Sequence, residues 1–543
     1  MFFINSLNFI SKIFLFFIQK TKKIYLNSNI YNKKISIISN NSLKYRPNPS
    51  LLDCLLKYKK KKNKIENYSL NSIWTKENIE KKDYTNLHSF FWLFSLDLKS
   101  SKKDTQNIIL NWIKNNYKYN SKSWDFDILS KRIIAWISNS RLTYEESDLI
   151  YKEKFNSLIQ KQINHLINEI NRSEWVDDKM IGCAAIILAG LSYQDKERYL
   201  NFGFNLLKKI IKFSFDSGGF PKSRNIKQLS FYLKYFILIR EWLKESQNEI
   251  PEYIDETIYY LGQAYSFISH NSKIDFLFNG NNITDKNEFD VYLSRLGYKF
   301  KNENNEAGGY VILKNKKIML AMDVGPSPEK KFSSNYQSGA LSFEIISNGK
   351  KLICNSGYFQ NTSHRLNQLS KSSAIHSTLV LDNQSSCKFI QNHKFKSKVS
   401  KGLKIIKKNI VFEKNYWKIN SAHDGYYKQY NIIHDREIEF YPEQFKFIGH
   451  DKVISKNKFR NKNFEIRFHL EPSVKIMRTQ DTKSIFIELD NEGWKFSCEN
   501  YKINIDNGLY FANKNSFVDN QNIFISGMTQ NQIQTIKWEL TKL

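Results

Sequence analysis

From about residue 85 to 270, apolar residues recur at helical spacing, as in "TQNIILNWIKNNY", "ILSKRIIAWISNSRL", "KFNSLIQKQINHLINEI", "IGCAAIILAGL" and "LSFYLKYFILIREWL". This periodicity predicts successive amphipathic helices. Short polar or Gly-containing links such as "SFDSGGFPKSRN" predict that neighbouring helices pair as antiparallel hairpins. Beyond about residue 295 the period drops to two, in runs such as "GGYVILKNKKIMLAMDVG", "ALSFEIISNGKKLICNSG" and "SIFIELDNEGWKFSC", with turn residues every eight to twelve positions. That spacing predicts an antiparallel β-sandwich, with tight turns at Asn348-Gly349 and Asp382-Asn383. The expected organisation is an N-terminal extension over residues 1–84, a helical domain over 85–285 and a β-sandwich over 295–543.

The extension carries its own pattern. Phe3, Leu7, Ile10, Phe14 and Phe17 fall on one side of a helix, and Asn5, Asn8 and Lys12 on the other. Lys20, Lys22 and Lys23 follow the apolar run rather than precede it, which is not the layout of a secretory signal. Residues 2–18 therefore read as a docking helix or a membrane-surface helix.

Composition adds three constraints. A chain of 543 residues is long enough for two domains, each with a sizeable core. Five cysteines, odd in number and without a CxxC pair, argue against a disulfide framework or a thiolate zinc site. A net charge of +30 favours a polyanionic partner, although Lys, Asn and Ile are abundant throughout and the charge also fits a solvated surface. The densest basic run, Lys57–Lys64, lies beside no nucleic-acid-binding signature and reads as a flexible basic loop, so no specific nucleic-acid partner is expected. No Gly-rich phosphate loop joins a strand to a helix, which removes nucleotide chemistry.

Several residues suit carbohydrate chemistry. Trp124, Arg132 and Trp136 stand near helical spacing, and a guanidinium among indoles fits a sugar carboxylate; the same residues also fit a core with an ion pair. Arg224 and Asn225 follow the Gly218-Gly219 turn on a loop, where binding groups or merely solvated ones belong. His423 and Asp424, with His434, Asp435 and Arg436, lie in the sandwich, where Asp-Gly reads as a hairpin turn and the cluster as structural.

"GALSFEIISNGKKLICNSGYF" followed by "LSKSSAIHSTLVLDNQSS" resembles the heparinase II/III family of polysaccharide lyases, in an alphaproteobacterial-type branch. "HSFFWLFSL", "WDFDILSKRIIAW", "DSGGFPKSRN", "FLFNGNN", "AMDVGPSP", "HDGY" and "FHLEP" extend the resemblance over about residues 85 to 540. It implies an (α/α) toroid followed by an antiparallel β-sandwich, an acidic polysaccharide as partner, and a place in the periplasm or cell envelope. The chemistry it implies is β-elimination at a uronic acid: a group neutralises the carboxylate, a base takes the C5 proton and an acid protonates the departing O4. In the family a "HxHAD" stretch supplies a catalytic His and a zinc-binding His. The matching positions here are Asn335 and Gln337, with Gly339 at the Asp, Asn355 at the following Asp and His376 as the one retained ligand. Two amides and one imidazole make a poor zinc site, so no metal or other cofactor is expected. The family's Asn-His pair matches at best Asp178 and Lys179, and its Tyr has only the displaced Tyr232. The expected activity is a lyase in which Arg132 or Arg224 neutralises charge, with Trp124, Asn225 and Tyr358 as further substrate contacts. Catalysis would fall to His376, with Asn335 and Gln337 beside it, and Tyr336, Tyr358 and Tyr232 as the next proton-transfer candidates. The alternative is a catalytically degenerate glycan-binding protein on the same scaffold.

Overall fold

In the computed structural model the described residues are 17–37, 42–55, 74, 79–96, 101–193, 196–269, 274–283, 286–391, 397–456, 461–512 and 516–543. The basic run Lys57–Lys64 and most of the amphipathic segment 2–18 lie outside them; of the latter, Phe17 and Ile18 are described, and both are exposed. The chain divides into two compact units, Met1–Phe213 with Lys234–Ile258, and Ser214–Leu233 with Tyr259–Leu543.

The first unit is helical. Its main elements are α1 (Lys81–Ser89), α2 (Lys102–Asn116), α3 (Phe126–Ser138), α4 (Leu149–Glu169), α5 (Val176–Ser192) and α6 (Lys196–Ser214). Starts are capped as the sequence requires: Ser101 accepts from the amide of Asp104, and Asp148 from that of Tyr151, each answering an otherwise orphaned donor. α5 is buried along its whole length from Met180 to Ser192, so it has no polar face. Small residues let α6 approach it closely: a Cβ at Gly203 would lie 2.5 Å from Ile187 Cγ1, and one at Gly190 3.0 Å from Leu200. No helix among the described residues is long and apolar enough to cross a membrane.

The second unit begins with the "SFDSGGFP" turn, where Phe215 and Pro221 pair as a β-bridge and Asp216 Oδ1 accepts from the amides of Gly218 and Phe220. It continues through α7 (Lys286–Arg295) into the strands, which among the described residues run from β1 (Glu306–Ala307) to β19 (Ile533–Lys542). One sheet runs Glu306–Ala307, Tyr310–Lys314, Ile318–Asp323, Phe343–Ser347, Lys350–Cys354, Asn463–Leu470, Val518–Met528 and Ile503–Tyr510, with Leu379–Leu381 paired to Asn463–Leu470; the other runs Lys475–Arg478, Ser484–Leu489, Glu492–Ser497, Ile533–Lys542, Lys446–Ser455, Ile432–Tyr441, Trp417–His423 and Ile405–Phe412. Every strand pairing among the described residues is antiparallel, as the alternating pattern predicted. The sheets share one apolar core in which Phe343 of β4 (Phe343–Ser347) stacks on Trp538 of β19, centroids 5.5 Å apart.

Both predicted tight turns form. Asn348 and Gly349 take φ of 44° and 79°, and Asp382 and Asn383 of 45° and 56°, the left-handed pairs a two-residue hairpin needs. Asp424-Gly425 departs from the expectation: β10 (Trp417–His423) leads into a helical turn, Tyr427–Tyr430, before β11 (Ile432–Tyr441), and Asp424 Oδ1 accepts from the amide of Lys404. The Asp fastens a loop rather than closing a hairpin.

Candidate functional site

The segments that carry the lyase-like motif converge in the second unit. Residues 333–342 lead into β4, residues 355–360 leave β5 (Lys350–Cys354), residues 370–378 lead into β6 (Leu379–Leu381), and "FLFNGNN" crosses beneath them. Gln337 is wholly buried; its Oε1 accepts from the amide of Gly280 at 2.9 Å, and its Nε2 donates to the carbonyls of Gly357 and Ser370 at 3.0 and 2.5 Å. One amide thus ties three segments together. Asn355 is equally buried: Nδ2 donates to Glu344 Oε1 and Oδ1 accepts from the amide of Ser377. Glu344 in turn receives Lys351 Nζ at 2.8 Å and the amide of Leu277.

His376 is 1% exposed. Its Nδ1 lies 2.9 Å from the carbonyl of Ser372, to which it donates, and burial pushes the imidazole down to about 4, so it is neutral at physiological pH. Its ring lies against Gly339, where a Cβ would come within 2.5 Å of Cδ2; the small residue at the family's Asp position is what makes room for the imidazole. With both amides at Gln337 and Asn355 spent on protein groups, and no cluster of three His, Cys, Asp or Glu side chains able to hold a metal among the described residues, this donor set does not fit zinc.

Arg224 departs furthest from expectation. It is buried at φ +60°, its Nη2 meets Asp323 Oδ1 at 2.5 Å, and Nε, Nη1 and Nη2 donate to the carbonyls of Gly308, Pro326 and Gly309. Asn279 bridges Asp323 Oδ2 and the hydroxyl of Tyr310, which donates to the carbonyl of Arg224 itself at 2.6 Å. Such a guanidinium is spent on holding the chain and is not offered to a sugar carboxylate. Asn225 beside it caps the helix Ile226–Glu245, its Oδ1 accepting from the amides of Lys227 and Gln228.

Arg132 and Trp124 lie in the first unit and are also buried, Trp124 donating Nε1–H to the carbonyl of Asn116. Their expected place on a binding surface gives way to a place in the helical core. Asp178, in the first turn of α5, accepts from Ser173 Oγ, and burial, with Asp125 and Asp127 adding repulsion, pushes its carboxyl up to about 7. Tyr232 and Tyr336 are 1% exposed. His434 and Arg436 both bond Asp451 inside the sandwich, and Arg436 Nη1 reaches the carbonyls of Leu341 and Ser377, bracing the two segments that flank His376.

What remains open to a ligand is Asn335. It is half-buried, and its Oδ1 accepts from the hydroxyl of Tyr358 at 3.3 Å. Lys371, a residue the sequence reading missed, is buried beside them: Nζ donates to the carbonyl of Ser334 and to Ser397 Oγ, and lies 6.0 Å from the Tyr358 ring centroid. Burial pushes Lys371 down to about 8 and Tyr358 up to about 12. Lys371 stands in the polar run "NQLSKSSA", which carries no apolar period to betray burial.

Residues 302–539 match the family model described as Heparinase II/III-like, C-terminal. The matched stretch takes in nearly all of the β-strands. Solved structures share the fold of the chain. A heparan sulfate lyase HepC mutant from Pedobacter heparinus superposes with a TM-score of 0.68 at 16% identity, covering 88% of this chain and 79% of that one. Heparinase III does so with 0.68 at 15%, covering 95% and 89%. At these identities the likeness shows the fold, a helical toroid followed by a β-sandwich, as the change of period predicted. A search of curated proteins gave no match.

Proposed function

We propose that this heparinase II/III-like protein is a polysaccharide lyase that cleaves a uronate-containing polymer by β-elimination. The observation that carries the reading is the Tyr358–Asn335 pair: a phenol hydroxyl on an amide whose Oδ1 it occupies, in a segment otherwise given over to buried structural contacts. With Oδ1 taken, Asn335 Nδ2 is the donor left for a substrate carboxylate, where it stabilises the negative charge that builds as C5 loses its proton. Tyr358, held protonated by burial, is suited to give its proton to O4 as the C4–O4 bond breaks. β-Elimination sets three tasks, and this pair answers two. Lys371 positions the pair by anchoring the carbonyl of Ser334, the residue before Asn335.

The test is incubation of the purified protein with a panel of uronate polymers, following the ultraviolet absorbance of the C=C bond conjugated with the carboxylate. One or more polymers should give that product, and Asn335→Ala and Tyr358→Phe should each lower kcat/KM by about 10²-fold or more. Binding of the same polymers without product would instead identify a glycan-binding protein, and full activity in both variants would remove the pair from the mechanism.

A further inference from the structure

In the first unit the fully buried Arg132 is paired with no carboxylate. Nη1 donates to the carbonyls of His88 and Ser123, both at 2.9 Å, Nε points at Gln162 Oε1 at 3.4 Å, and the guanidinium lies 4.1 Å from the centroid of the Trp112 ring. None of these partners is charged. Among the described residues Nη2 has no partner. Nη2 shares with Nε the edge of the guanidinium that grips anions as a fork, so the unfilled half of that fork opens beside Gln162.

Two neighbours carry the same deficit. Gln162 turns its oxygen to Arg132 Nε, as that donor requires, which leaves its Nε2 amide as a buried donor without an acceptor. Trp112 donates Nε1–H to His88 Nδ1 at 3.0 Å, which places the histidine's proton on Nε2, again buried and unpartnered. Beside the cation, then, Arg132 Nη2 and Gln162 Nε2 are buried donors without acceptors, and an electronegative atom is the partner they lack. Burial pushes the guanidinium down only to about 9, so the charge persists at neutral pH.

We propose that Arg132 and Gln162 form an internal site for a small inorganic anion of halide size. An ion of that kind needs no geometry of its own, accepts from several N–H groups at once and neutralises Arg132 in the core. A sugar carboxylate is excluded from so enclosed a place by the bulk attached to it.

The site is tested on the full chain by thermal unfolding in sodium chloride or bromide against sodium gluconate at matched ionic strength. A saturable rise in Tm of about 2–4 °C is expected with either halide. The surface of a chain with net charge +30 also answers to anions, so the comparison is made with Gln162→Glu, which supplies a carboxylate beside Arg132 and leaves the surface alone. In Q162E the halide-specific rise should vanish. Crystals soaked in bromide should show anomalous scattering beside Arg132 Nη2 in the wild-type protein. Equal Tm in halide and gluconate, an unchanged halide response in Q162E, or no bromide at Arg132 at saturating concentration would each overturn the proposal.

Discussion

His376, which the motif offers for catalysis, sits as a structural side chain does. Its imidazole donates to Ser372, lies on Gly339 and has 1% of its surface exposed, so its replacement removes packing rather than chemistry. His376→Ala should destabilise the protein by about 2–4 kcal/mol in urea unfolding, the combined cost of a cavity and a lost buried hydrogen bond. Turnover per folded molecule should stay within a few-fold of the wild type. A rate lost in full while stability holds would restore the imidazole to catalysis. The motif made His376, Gln337 and Asn355 legible as positions, because the surrounding strand pattern is local. It did not show what they touch: the bonds of Gln337 to Gly280, Gly357 and Ser370 span up to 57 residues of sequence, and no periodicity encodes them. Asn335 alone of the motif's changed polar positions is left half-exposed, and that distinction exists only in three dimensions.

At the scale of elements, the helix-to-strand change was legible because a period of 3.6 and a period of 2 are properties of neighbouring residues, and the turns at Asn348-Gly349 and Asp382-Asn383 because only left-handed backbone closes them. The Arg224 network was not, since it joins a loop at 224 to strand ends near 308 and 323. Glycine marks it: a Cβ at Gly325 would fall 2.4 Å from Arg224 Cζ. Here Asp323 at the end of β3 (Ile318–Asp323) balances a cation that touches three carbonyls, so removing one partner leaves the other charged in the core. Asp323→Asn and Arg224→Met should each cost about 3–5 kcal/mol. The double variant should cost less than the sum, and a strictly additive cycle would show that the two charges do not couple.

For the whole molecule, the decisive titration is that of buried histidines in both units. Burial holds His88 and His165 in the helical unit at about 3, and His469 and His376 in the β unit at about 3 and about 4, all below the ordinary value of 6.5. Each is neutral when folded and takes up a proton near 6.5 when unfolded. The unfolded chain therefore binds more protons between pH 6.5 and about 4, and stability falls as pH drops through that window. One unit of separation is worth about 1.4 kcal/mol, so between pH 6.5 and 4 each histidine withdraws about 3 kcal/mol. Asp178 opposes them: its folded carboxyl protonates near 7, well before the unfolded one, and acidification relieves it. Asp125 and Asp216, also raised by burial, side with Asp178, but buried His423 and His434 are lowered too and the carboxyls of Asp451, Glu492 and Glu539 are held low, so the sum stays unfavourable, and a domain holding about 5–15 kcal/mol does not survive it. The urea midpoint should fall steeply from pH 6.5 towards 4, with both units affected. His165→Gln should shallow that slope in the helical unit and His376→Gln in the β unit. A midpoint that held constant down to pH 4.5 would mean that these imidazoles are solvated, and with them the packing around Arg132 and Gly339.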